Sequence, residues 1–251
     1  MLIDVHAHLD DVSFLADLEI VLTNAQNEGI GCIITNGTTK AGNERVLELA
    51  KKYTLVKAAL GLHPEESHNL TDEQVEETIT HIERNKEKIL AIGEVGLDKH
   101  WYPTDLERQK IILKKIITLA KKIDKPLIVH TREAEEESLA ILEEEHADRV
   151  ILHAFSGSKK LVRKAISLGF FLSIPPNVVR ADHFQMIVKE TPLMQLLTET
   201  DCPYLGPTKE GRNEPKFIRL AIQKIAELKQ MKEEEVEKVL EENYKKFFRI
   251  S

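Results

Sequence analysis

Cysteine is nearly absent from this chain: Cys32 and Cys202 are the only two in 251 residues, too few for the disulfide framework of a small secreted protein. No apolar run approaches the roughly 18 residues that a membrane-spanning helix needs. The start, Met1-Leu2-Ile3-Asp4-Val5, enters a strand-like pattern without a basic leader, which predicts no secretory signal. These absences predict a soluble protein of a reducing, cytoplasmic compartment with no membrane role. An excess of positive charge is missing too. Asp and Glu number 42 against 35 Lys and Arg, a net charge of −7, which excludes a broad basic face of the kind that grips duplex phosphates. Any nucleic-acid contact must be local. No stretch is rich enough in Gly, Ser or Pro to act as an interdomain linker, and none is of low complexity. Residues 1–251 are therefore expected to form one domain.

What is present is an alternation of two periods. Short aliphatic and β-branched runs begin near Leu2, Gly31, Leu55, Ile89, Leu127, Val150, Phe170 and Leu196, each followed by a longer segment with helical spacing. Between Asp105 and Ile123, residues Ile112, Leu113, Ile116, Leu119, Ala120 and Ile123 share one face of an outer helix. After Met231, Val236, Val239, Leu240, Tyr244, Phe247 and Phe248 form a stripe able to dock onto a sheet. Asn243 interrupts that stripe and reads as a buried amide bonded to loop backbone. Eight strand–helix units over this length predict an α/β protein, a (β/α)8 TIM barrel. An open doubly wound sheet shares the local pattern, but no Gly-x-Gly-x-x-Gly follows the first strand; His6-Ala7-His8 stands there instead.

His6 and His8 share one face of the first strand and aim at the mouth, where barrels place their chemistry. With 10 histidines in the chain, His-x-His alone is a weak signal. The other strand ends strengthen it: Gly61-Leu62-His63-Pro64, Ile92-Gly93-Glu94, Ile128-Val129-His130, Ile151-Leu152-His153 and Glu199-Thr200-Asp201. Burying so many imidazoles and carboxylates around one mouth is costly unless a positive charge compensates them. A divalent cation supplies that charge. Nitrogen and oxygen donors suit zinc or manganese, and carboxylates with water suit magnesium. Six candidate ligands, His6, His8, Glu94, His130, His153 and Asp201, are too many for one tetrahedral ion. Two divalent ions about 3.5–4 Å apart, with Glu94 as the bridge, would use them all.

These segments, together with Asp4-Val5-His6-Ala7-His8-Leu9, Gly93-Glu94-Val95-Gly96-Leu97-Asp98, Val129-His130-Thr131-Arg132, His153-Ala154-Phe155-Ser156-Gly157, Thr200-Asp201-Cys202-Pro203-Tyr204 and Arg212-Asn213-Glu214-Pro215, run in an order that resembles the TatD-type metal-dependent deoxyribonucleases. That family lies within the amidohydrolase-like barrel superfamily, and the resemblance extends from residue 4 to residue 215. It implies a metal-dependent hydrolase that cleaves DNA phosphodiesters, commonly as a 3′-5′ exonuclease on single strands or 3′ ends. It also implies that His6, His8, Glu94 and Asp201 hold one ion, and Glu94, His130 and His153 the other. Cys202 stands where relatives often carry serine, and reads as a small buried residue.

In this reading Glu94 and Asp201 are the catalytic residues, with Asp201 accepting a proton from the attacking solvent. His63, held extended by Pro64, is assigned to phosphate contact, with a rim histidine bonded to backbone as the alternative. Arg132 and Arg212 are candidates for a phosphate clamp, with pairing to neighbouring glutamates as the alternative. Trp101, the sole tryptophan, either stacks on a terminal base or packs on a helix. The same cage would also serve an aminoacyl-tRNA deacylase or another ester or amide hydrolase. An inactive binding barrel would be expected to lack a ligand, and none of the six is missing. Oligomeric state is not legible in these residues, and a monomer is compatible with them.

Overall fold

The computed structural model describes residues 1–250. Its strands are β1 (Leu2–Ala7), β2 (Ile30–Asn36), β3 (Val56–Leu60), β4 (Ile89–Gly96), β5 (Leu127–His130), β6 (Val150–Leu152), β7 (Phe171–Ile174) and β8 (Leu196–Thr198). All pair in parallel with their sequence neighbours, in the order β1 to β8. Each begins within one residue of the start expected from the sequence. The ring closes between β8 and β1. There the Thr198 hydroxyl donates to the Ile3 carbonyl at 2.7 Å, and the Asp201 and His8 amides donate to the His6 and Cys202 carbonyls at 2.8 and 2.9 Å. The architecture is the (β/α)8 barrel.

Alternation along the strands sorts their side chains. Val5, Ile34, Ala59, Ala91, Ile128 and Ile151 fill the barrel interior. Their neighbours Ile33, Ala58, Ile92, Val129 and Leu152 pack outward beneath the helices, as a period of two requires. The C-terminal helix Glu233–Phe248 seals the floor: Tyr244, Phe247 and Phe248 join the interior cluster, and the Tyr244 hydroxyl bonds Cys32 Sγ at 3.2 Å. Asn243 donates to the Leu193 and Leu196 carbonyls, both at 2.8 Å, the role its place in the stripe predicts. With one end plugged, chemistry is left to the C-terminal mouth.

Two β-bulges load that mouth. From Asp4 to Ala7, three steps on β1 face two on β2, Ile33 to Thr35. The extra residue reverses the alternation, so His6 and His8 turn inward although Val5 already does. On β4, Ile92 to Val95 likewise spans three steps against two on β5, and Glu94 turns inward where regular pleating would send it out. Re-aiming a side chain beside a functional site is a common use of bulges. Glycine makes the crowding possible: a Cβ on Gly61 would lie 2.3 Å from the Glu94 carbonyl oxygen, and one on Gly96 would lie 1.9 Å from that of His130.

Candidate metal centre

The donors at the mouth come from the ends of β1, β3, β4, β5, β6 and β8, with His6 and His8 both on the first, and hydrogen bonds fix which atom most of them present. His8 Nδ1 lies 3.1 Å from the Asn36 carbonyl, which only accepts, so Nδ1 carries a proton and Nε2 is the atom turned to the mouth. His130 Nε2 faces Asp98 Oδ2 at 2.9 Å, which turns Nδ1 toward Glu94. His153 Nδ1 faces Glu199 Oε2 at 3.3 Å. Glu199 is itself held by the Ser173 hydroxyl and the Ala154 amide, at 2.5 and 2.9 Å. Carboxylates and carbonyls behind imidazoles are the usual supports of metal-binding histidines. Asp201 adopts a left-handed backbone, φ 54°, and is held there by its amide bond to His6.

The four atoms His6 Nε2, His8 Nε2, Glu94 Oε2 and Asp201 Oδ1 are separated by 3.1 Å between the histidines and by 3.3–3.5 Å from each histidine to each carboxylate. A tetrahedron with bonds of about 2.0–2.1 Å has edges of about 3.3–3.4 Å. These five separations match those edges, as donors to a small divalent cation would. Glu94 Oε1 faces a second set: His130 Nδ1 at 2.9 Å, His153 Nε2 at 3.3 Å and His63 Nε2 at 3.5 Å. One carboxylate thus offers one oxygen to each set, and the donors fit a divalent ion on either side of it. His6 Nδ1 is buried with no partner, which leaves its ring anchored chiefly through Nε2.

His63 differs from the other imidazoles. It caps the short helix Pro64–Ser67, with Nδ1 accepting from the Glu65 amide at 3.3 Å. A neutral ring that accepts at Nδ1 carries its proton on Nε2, so His63 presents a donor to the mouth rather than a lone pair. His63, Asp98 and His130 also cluster within ligand range, but these hydrogen bonds already occupy them. Burial pushes the His63 imidazole down to about 3, which keeps it neutral.

The electrostatics describe a cage with a surplus of anions. Burial works against the charged form of Glu94, yet His63, His153 and His6 pull its carboxyl well below the usual range. Burial likewise depresses His8 and His153. Hydrogen bonds from His8 to Asp201 and Glu94, and the charges of Glu199 and Glu94 beside His153, overcome it and raise both well above the ordinary imidazole value. Where charge is not supplied by an ion, protons are drawn in.

The structure therefore gathers His6, His8, Glu94, His130, His153, Asp201 and His63 around one point. Arg132 lines the cleft above them. Arg212 departs from the expected phosphate clamp. Its amino groups are spent on Asp17 at 2.8 and 2.7 Å and on Glu214 at 3.1 Å, and it lies over the Phe14 ring outside the cleft. Of the sequence's two readings of Arg212, pairing with acidic neighbours is the one observed. Cys202 is fully buried. Asp98 and Glu199 carry no role in the sequence reading, although each lies in a quoted strand-end segment. Glu199, two residues beyond the inward-facing Leu197 of β8, carried the clearer signal.

A profile of TatD related DNase matches residues 3–249. The chain is 38% identical to an uncharacterized metal-dependent hydrolase of Bacillus subtilis, YabD, over 100% of both. It is 35% identical to the human deoxyribonuclease TATDN3 over 98% of this chain and 94% of the relative. The solved structure of YjjV, a TatD homolog from Escherichia coli, superposes with a TM-score of 0.92 at 31% identity, covering 100% of this chain and 98% of that one. Likeness that runs end to end in sequence and in structure is more than a shared barrel, and the chain belongs to the TatD related DNase family.

Proposed function

We propose that this protein is a metal-dependent deoxyribonuclease that removes nucleotides from the 3′ ends of single-stranded DNA using two divalent ions. The observation that carries this is Glu94, which sends one carboxylate oxygen into each of two donor sets. When bound, divalent cations polarise a phosphoryl oxygen and lower the pKa of water toward neutrality. His6, His8, Glu94 and Asp201 would hold one, and Glu94, His130 and His153 the other; zinc, manganese and magnesium all suit such donors.

The remaining work belongs to the side chains. Asp201 offers Oδ1 to the first set and retains Oδ2 to accept a proton from solvent attacking phosphorus. His63, fixed as a donor at Nε2, binds a nonbridging phosphate oxygen. Arg132, exposed at the rim, clamps the same phosphate. Among the described residues no helix is long and apolar enough to cross a membrane, and the two unpaired, buried cysteines fit a reducing, cytoplasmic setting.

The test joins elemental analysis of the purified protein to hydrolysis of a 3′-labelled single strand, with deacylation of charged tRNA run in parallel. Release of 3′ nucleotides that stops on chelation and in Glu94→Ala, with the barrel still folded by circular dichroism, is the expected result. Hydrolysis unchanged by either treatment, or tRNA deacylation alone, would overturn the proposal.

A further inference from the structure

The cleft over the donor sets encloses about 770 Å³, a volume on the scale of small-ligand sites. Its walls are not those of a groove that tracks a strand. Asp10 and Asp11 on the β1 side and Glu65 and Glu66 on the β3 side line it, and Arg132 is the sole lysine or arginine among the lining residues. Following a DNA backbone takes a cation for each phosphate neutralised. Here the extended strand would meet carboxylates instead.

Two aromatic rings stand where cations are lacking. Trp101, on the connection after β4, is 54% exposed, and Tyr204, on the loop after β8, is 57% exposed; both line the cleft. In a ring of eight strands β4 and β8 are diametrically opposed, so the two connections that carry these rings leave from opposite sides of the mouth. The Tyr204 ring lies 6.3 Å from that of His8, and the Arg132 guanidinium lies 5.5 Å from the Trp101 ring. Exposed rings flanking a phosphate site are stacking platforms for bases, a contact indifferent to sequence and to long-range charge.

Building on the deoxyribonuclease reading, we propose that the cleft recognises only the two nucleotides flanking the scissile bond. One base stacks on Trp101 and the other on Tyr204, and the acidic rim leaves the rest of the strand unbound. Chain length then adds nothing to recognition, and a dinucleotide is a complete substrate. For single strands the logarithmic salt slope is about −0.7 per phosphate contact, so a footprint of one or two phosphates gives a slope of about −1.

The experiment uses the metal-loaded protein with a single-stranded 20-mer, a matched dinucleotide, and 20-mers carrying one abasic residue at the first, second or third position from the cleaved end. The expected kcat/KM for the dinucleotide is within about threefold of that for the 20-mer, with a salt slope near −1. Abasic residues at positions one and two raise KM by about 5- to 150-fold, the range of a lost stack, and position three has no effect. Trp101→Ala and Tyr204→Ala each reproduce one of those losses and add nothing on the matching abasic strand, and Trp101→Phe restores most of the binding. A preference of tenfold or more for the 20-mer, a slope steeper than about −3, or a penalty at position three overturns the footprint and leaves the deoxyribonuclease reading intact. Cleavage of none of the DNA substrates overturns both.

Discussion

Asp98 and Glu199 show how much of a metal centre lies behind its ligands. Neither reaches the cavity centre as a donor, yet each sets the tautomer of one histidine through the far ring nitrogen. Replacing the carboxylate with an amide keeps the shape and removes the charge that holds the imidazole proton in place. Asp98→Asn and Glu199→Gln should each weaken zinc binding by about 10- to 100-fold with the fold retained; competition against a chromogenic chelator reads this directly, and unchanged affinity would mean the pair is structural only. Protonation gives a second residue-level prediction. Because His8 and His153 are raised well above the ordinary imidazole value, they hold protons near neutral pH before a cation arrives, and the cation must expel them. Metal affinity should therefore fall as pH falls, with about one to two protons released on loading at pH 7. Calorimetric titrations in two buffers of different ionisation enthalpy measure that number, and a value of zero would refute the assignment of these two rings as ligands.

At the scale of strands, part of the site was legible and part was not. His130 and His153 follow from simple alternation, since Ile128 and Ile151 point into the barrel and residues two further on must do the same. Glu94 and the His6–His8 pair do not follow so simply. Their inward aim depends on bulges that add one residue to β1 and one to β4, and a bulge has no residue signature apart from its pairing partner, which a single strand's sequence does not contain. Arg212 was equally undecidable, because the acidic partner that holds it, Asp17, lies 195 positions away. Gly96 has φ 148° and no room for a Cβ, so Gly96→Ala combines backbone strain with a clash against β5 and should cost about 3 kcal/mol or more. Gly169→Ala is the control: its φ is 79° but nothing lies within 4 Å, and it should cost about 1–2 kcal/mol. Chemical denaturation of the two variants separates the contributions, and equal losses would mean that strand crowding at Gly96 is relieved cheaply.

For the whole molecule, the donor sets act as a clasp. They draw on the ends of β1, β4, β5, β6 and β8, and the ring itself is closed by bonds between residues nearly 200 positions apart, such as Thr198 to Ile3 and Thr200 to Asp4. No run of consecutive strands shorter than β1 to β8 holds both sets, so an ion that binds only the assembled cage stabilises the whole ring at once. We propose accordingly that residues 1–251 unfold as one unit and that the unit is coupled to its metal. A ligand present at 100 times its dissociation constant contributes about 2.7 kcal/mol, and at this size each kcal/mol moves the midpoint by about 2–4 °C. Chelation should thus lower Tm by about 5–10 °C in a single calorimetric transition, and the shift should vanish in Glu94→Gln, whose amide can no longer supply an anionic oxygen to both sets. Two separate transitions would divide the barrel into independent parts, and an equal shift in the variant would place the stabilising ion somewhere other than beside Glu94.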